Sequence, residues 1–254
     1  MIYFDHQQGS PEWLECRRAV ITGSRAKDAR DKSDGLTDQQ RKFVADVRAG
    51  SSTADAAIAA GYKKAPTSDA VARAIDAGFE LVWGSRALSY AMDVAREIVG
   101  GKVPSTFVNA YMKAGTFEEP AGRMAYEVRT RTIVDEVGFY CTDDRAFGCS
   151  VDGLVGNDGL IEIKTMVSST TLFTALGGDI SEYIDQCNFA LWLLGRKWCD
   201  LVLWAPDLES IGRQITIVRI DRDEEAIAAL EADMLAFQAI VNRYVEILQP
   251  KEAA

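Results

Sequence analysis

The residues best suited to chemistry lie in one stretch, Cys149-Ser-Val-Asp-Gly-Leu-Val-Gly-Asn-Asp-Gly-Leu-Ile-Glu-Ile-Lys-Thr165. Asp152 precedes a Glu162-x-Lys164 pair, with a turn rich in Gly, Asn and Asp between them. Residues 160–164 alternate apolar and charged, the period of a half-buried strand. Glu162 and Lys164 are two apart and leave the same face. Gly156-Asn-Asp-Gly159 supplies the positive-φ positions of a tight turn. Residues 147–151 and 160–164 are therefore expected to form a hairpin that brings Asp152 to Glu162. Two carboxylates and an ammonium at one edge suit a hard divalent cation, Mg²⁺ or Mn²⁺. Asp152, Glu162 and the Ile163 carbonyl would be its ligands. Lys164 would orient a water or stabilise charge on a phosphorane. The competing reading is a turn aspartate beside a solvated strand face. The short motif leaves the two level.

Positioning such a site needs a sizeable fold, and 254 residues with 48% apolar content provide for one large domain or a domain with an insertion. No apolar run reaches the ~20 residues of a membrane span, and residues 1–6 do not read as a signal peptide. A cytoplasmic protein is the expectation. The five cysteines include no C-x-x-C and read as reduced core residues. The single histidine, His6, argues against a zinc cage and reads as a surface or terminal contact. A net charge of −10 runs against general nucleic-acid affinity. It leaves room for a confined basic channel drawing on Arg17-Arg18, Lys63-Lys64, and Arg123, Arg129 and Arg131.

Along the chain, Ser10 and Pro11 start a short helix carrying Trp13 and Arg17. Residues 20–24 turn toward another helix start. Residues 36–77 look separate: a helix with a Thr37…Gln40 capping box, a break at Gly50, an Ala-rich helix over 54–60, and a helix over 68–77. A long amphipathic helix is expected over 79–99, a short helix over 107–114 ended by Gly115, and another over 117–127. Residues 130–141 read as a strand and 165–180 as a polar loop. A helix over 182–194, strands over 198–205 and 213–220, a helix over 224–248 and a frayed tail over 251–254 complete the chain. The expected fold class is α/β (α+β), a central mixed β-sheet flanked by helices.

Four separated pieces together resemble one family. They are Gly9-Ser-Pro-Glu-Trp-Leu-Glu-Cys-Arg-Arg-x-x-Ile-Thr-Gly-Ser24, Gly115-Thr-Phe-Glu-Glu-Pro120, Ser150-Val-Asp-Gly-Leu…Glu-Ile-Lys164 and Tyr183-Ile-Asp-Gln-Cys-Asn188. The chain resembles the phage-type alkaline exonucleases of the lambda exonuclease/YqaJ group, within the PD-(D/E)xK nuclease superfamily. The resemblance implies a restriction-endonuclease-like core over 1–35 and 78–254, with 36–77 inserted. It implies that Asp152, Glu162 and Lys164 are catalytic, that Glu119 lies near the metals, and that Gln186 helps order the site. Arg17 would grip a 5′-phosphate with help from Ser24, or Arg18 would do so if the register slips by one. Tyr183 would buttress its helix. The family has Ser-Pro-Asp in many members where this chain has Ser-Val-Asp. Residues 36–77 resemble the helix-turn-helix of phage terminase small subunits.

The function implied is Mg²⁺-dependent (or Mn²⁺-dependent) 5′→3′ digestion of double-stranded DNA ends to mononucleotides in phage-type recombination. The implied assembly is a homotrimer around DNA, with a single-strand annealing protein as partner. The alternatives are a related endonuclease, or a non-catalytic DNA-binding or packaging protein acting through residues 36–77.

Overall fold

Met1 leads into a short strand, β1 (Ile2–Phe4), and Ser10 starts the first helix, α1 (Pro11–Arg17). The Ser10 hydroxyl accepts the Trp13 N–H, and Pro11 sits in the first turn, where its missing N–H would have had no helical partner. β2 (Ile21–Thr22), a 3₁₀ turn over Gly23–Arg25 and α2 (Ala26–Ala29) follow. The computed structural model describes residues 1–102 and 110–249. It divides into two units, one of Met1–Ala29 and Tyr90–Ala254, the other of Arg30–Ser89.

The smaller unit contains β3 (Lys32–Ser33), α3 (Asp38–Arg48), α4 (Thr53–Ala59), α5 (Asp69–Ala77), β4 (Val82–Trp83) and the start of α6 (Ser85–Ile98). The Thr37–Gln40 capping box forms in both directions, and Ser52 and Ser68 cap the next two helices. Phe43, Val44, Ala56, Ala57, Val71 and Ala74 make a separate core. The helix expected over 79–99 begins only at Ser85. Val82–Trp83 pairs instead with Lys32–Ser33, and Asp31 accepts the Arg86 N–H, capping the helix there.

The larger unit continues with α7 (Ala110–Thr130), β5 (Phe139–Cys141), β6 (Phe147–Cys149), β7 (Gly153–Val155), β8 (Gly159–Thr165), α8 (Ser169–Leu176), α9 (Ser181–Leu194), β9 (Trp198–Trp204), β10 (Ile215–Asp221) and α10 (Glu224–Leu248). Its strands form two mixed sheets where one was expected, ordered β1-β5-β6-β2 and β10-β9-β8-β7. The expected hairpin is corrected accordingly. Residues 147–149 pair with β5 and β2 in the first sheet, and the partner of β8 is the three-residue β7. Asp152 lies between the two sheets. Parallel β9 is buried along nearly its whole length, as its apolar run predicts.

One helix replaces the two expected around Gly115, although residues 107–109 of the first lie outside the described residues. Pro120 forfeits a helical hydrogen bond, a cost of about 3 kcal/mol in a helix interior. Packing offsets it. Gly122 lies flat on the sheet, where an added Cβ would come 3.0 Å from Ile163 Cγ2. Tyr126 joins Ile161, Ile163, Val202 and Trp204 in a core cluster, and full burial of an Ile or Val side chain contributes about 1.5–3 kcal/mol. Arg131, left-handed at φ 57°, ends the helix, so the strand expected from 130 shrinks to Phe139–Cys141 and an isolated Asp135–Leu154 bridge. The loop expected over 165–180 contains α8, since Leu172, Phe173, Ala175 and Leu176 recur at helical spacing. All five cysteines are free and buried. Among the described residues no helix is long and apolar enough to cross a membrane. The tail over 251–254 lies outside the described residues.

Candidate active site

The geometry begins with the early end of β7. Gly153 faces Ile161, and the same register sets Asp152 opposite Glu162. Beyond that point the β7-side edge of β8 has no described partner strand, and a side chain takes its place. Asp152 Oδ2 accepts the Ile163 N–H at 2.6 Å. An extended residue sends its N–H and C=O to the same edge, so the Ile163 carbonyl leaves β8 on the Asp152 side.

Glu162 and Lys164 share the face toward α9. Lys164 Nζ lies 2.8 Å from Glu162 Oε1, and Gln186 Nε2 donates to that same oxygen at 2.5 Å. Lys164 also donates to Gln186 Oε1 at 2.9 Å, closing a triangle. Both donors approach Oε1 of Glu162 and leave Oε2 to other partners. The strand is more buried than its alternation suggested, with Glu162 only 4% exposed, because this triangle satisfies its polar face. Tyr183 adds its ring 5.8 Å from the Lys164 ammonium.

The electrostatics favour a cation. Burial, with the charges of Glu162 and Glu119, pushes the Asp152 carboxyl well above its ordinary range. Burial also raises Glu119, against the pull of Arg123. For Lys164, burial opposes the charge, but Glu162 and Asp152 outweigh it and hold the ammonium above its usual pKa. In this arrangement Lys164 is a hydrogen-bond donor, not a base. Three carboxylates thus face Lys164 and an Arg123 that is shared with Glu136. Among the described residues no three His, Cys, Asp or Glu side chains form a preassembled metal cage. The donor set instead fits Mg²⁺, which usually takes one or two carboxylates and fills its shell with water and substrate oxygens.

Glu119 and Asp152 line a common cleft of about 390 Å³, together with His6, Gln7 and Arg123. Gln8, on the same loop, donates to the Val151 carbonyl at 3.0 Å and so braces the residue before Asp152. The lone histidine therefore borders the candidate site, although its position in the sequence suggested a peripheral contact. Arg123, grouped by sequence with possible DNA-facing cations, has its charge committed to Glu119 and Glu136.

Arg17 faces inward from α1. Its guanidinium donates to Ser24 Oγ at 3.1 Å and approaches Ser150 Oγ at 3.5 Å, with the Trp13 ring centroid 4.2 Å away. Trp13 Nε1 donates to the same Ser150 hydroxyl at 2.9 Å. Burial draws the Arg17 pKa down, and the charge of Glu162 is near enough to oppose it. Arg18 turns the other way, toward Glu15 and the Gly101 carbonyl. Sequence reasoning missed Ser150, although a signal for it exists: two residues before Asp152 on extended chain, it shares that side. Asp152, Glu162, Lys164, Gln186 and the Ile163 backbone form one constellation, Glu119 borders it across the cleft, and Arg17 with Ser24 stands beside Ser150.

Residues 46–197 match the YqaJ-like viral recombinase domain family. Among solved structures, the chain is similar to an alkaline exonuclease, LHK-Exo, from Laribacter hongkongensis. They share 27% identity over 94% of this chain and 96% of that one, with a TM-score of 0.65. The same enzyme in complex with dAMP gives 28% identity, the same coverage and a TM-score of 0.62. A phage related exonuclease from Haemophilus somnus 129PT shares the fold at 18% identity, over 72% of this chain and 91% of that one, with a TM-score of 0.54. Comparison with curated protein sequences gives no match.

Proposed function

This chain belongs to the YqaJ-like viral recombinase domain family, and on that premise we propose that it is a Mg²⁺- or Mn²⁺-dependent exonuclease digesting double-stranded DNA 5′→3′. The observation that carries the reading is the Asp152–Glu162–Lys164 constellation at the open edge of β8. The similarity to an alkaline exonuclease, also solved with dAMP, supports a DNA substrate and a nucleotide product.

Asp152, Glu162 and the Ile163 carbonyl hold the cation. When bound, a divalent cation supplies Lewis acidity, easing proton loss from water and neutralising charge on the scissile phosphate. Lys164 donates to the phosphoryl oxygens as negative charge develops on them. Gln186 fixes Lys164 and Glu162 to each other, so neither must reorganise during the reaction. Arg17 is a guanidinium that stays charged even when buried. With Ser24 and Ser150 beside it, it binds the terminal 5′-phosphate and sets which strand end reaches Asp152. Residues 36–77, helix-turn-helix-like in order, add a duplex contact through Lys63 and Lys64, which are exposed. A homotrimer, a single-strand annealing partner and a bacterial cytoplasm as the site of action complete the proposal.

The test is digestion of linear duplex DNA by Asp152→Asn and Lys164→Ala variants with Mg²⁺. Losses of at least about 100-fold are expected, the scale of one lost charge-stabilising group. Wild-type digestion by either variant rules the reading out. Duplex binding with no cleavage by the wild type, in Mg²⁺ or Mn²⁺, favours the packaging-protein alternative.

A further inference from the structure

Arg123 lies on α7 one turn after Glu119, with its side chain only 10% exposed. Its Nη2 donates to Glu119 Oε1 at 2.9 Å, and its Nη1 pairs with Glu136 on the segment leading to β5. The remaining nitrogen, Nε, is buried and has no hydrogen-bond partner among the described residues. A buried donor left unmet is unfavourable, and so is withdrawing a charge from water. A methionine would fill similar space with neither penalty. Docking of α7 does not need the arginine, because Tyr126 and its apolar neighbours already anchor the helix to β8 and β9. Tyr126 also donates to Asp200 on β9 at 2.7 Å.

No apolar residue can grip two carboxylates on two elements. Glu136 is 75% exposed. Glu119 stands on the wall of the cleft that it shares with Asp152. We propose that Arg123 is a positioning residue for the cation site: by bridging Glu136 and Glu119 it fixes the Glu119 carboxylate on the cleft wall near Asp152. The rigid guanidinium fork is what the task requires, since a lysine ammonium has the charge but no planar pair of donors. The proposal rests on the reading of Asp152 and Glu162 as cation ligands, with Glu119 as a further carboxylate facing the same cation.

Calorimetric titration of Mn²⁺ into the full-length protein without DNA tests it, with melting curves recorded alongside. Arg123→Met is expected to weaken Mn²⁺ binding about 10-fold, the lower scale for groups that orient metal ligands. Arg123→Lys should fall between it and the wild type. Glu136→Gln, altered at an exposed side chain that leaves the core untouched, should weaken binding measurably but less than Arg123→Met. A folded Arg123→Met protein that binds Mn²⁺ like the wild type overturns the proposal. If that variant does not fold, an unchanged isotherm for Glu136→Gln overturns it. Asp152→Asn separates the premises. If Asp152→Asn loses binding while Arg123→Met keeps it, only the role of Arg123 falls. If the wild type takes up no Mn²⁺, or Asp152→Asn binds normally, the cation-site reading falls and this proposal with it.

Discussion

At the scale of single residues, Arg17 and Lys164 are both cations that feel the charge of Glu162, yet their surroundings give them different work. Lys164 is locked to Glu162 and Gln186, within the cluster that would meet the scissile phosphate. Arg17 is flanked by neutral hydroxyls and a tryptophan ring, so its charge is not spent on a neighbouring carboxylate contact. An arginine free of such a contact, facing Ser24 and Ser150, suits a phosphate group. Arg17→Gln is therefore expected to lower digestion of 5′-phosphorylated ends by about 10-fold or more, since hydrogen bonds to charged groups contribute about 1.5–3 kcal/mol. Digestion of 5′-hydroxyl ends should change little. Rate measurements on duplexes differing only in the terminal phosphate check this, and an equal loss on both ends contradicts it.

At the scale of elements, the site depends on how closely α7 lies on β8. Gly122 permits that approach, since a Cβ there would sit 3.0 Å from Ile163 and 3.3 Å from Trp204. Gly122→Leu should lift the helix, move Glu119, and destabilise the fold by about 1–3 kcal/mol, the usual range for overpacking. Denaturant melts of this variant measure the effect, and unchanged stability counts against the close-packed interface. The sequence already revealed much at this scale. The Ser10 and Thr37 caps, the buried run of β9 and the long α10 were legible because local chemistry decides them. The join at Gly115 was not, because tertiary packing of α7 outweighs a glycine and a proline. The antiparallel partner of β8 was also hidden. Residues 147–149 have strand character, but only long-range pairing sends them to the first sheet and leaves β7 beside β8. The surroundings of Arg123 and His6 were hidden for the same reason, since their neighbours come from distant segments.

At the scale of the molecule, a chain with net charge −10 must gather its DNA contacts in restricted places. Arg123, Arg25 and Arg219 all pair with acidic side chains and contribute little free positive charge. Lys63 and Lys64 in the helical unit are exposed. Replacing both with alanine is expected to weaken duplex binding and flatten its salt dependence by about 2 in the slope of log K against log salt, near 0.9 for each phosphate no longer neutralised. Binding isotherms at several salt concentrations read that slope, and an unchanged slope removes residues 36–77 from the DNA-contacting surface. The central claim is end-directed digestion guided by a 5′-phosphate. Its most direct measurement follows a linear duplex labelled separately at each 5′ and 3′ end, with Mg²⁺ and the intact protein. The account predicts that 5′-terminal label is released first, as mononucleotide, and faster from phosphorylated than from hydroxyl ends. Release of 3′ label first, or cutting of closed circular DNA at a comparable rate, would contradict it.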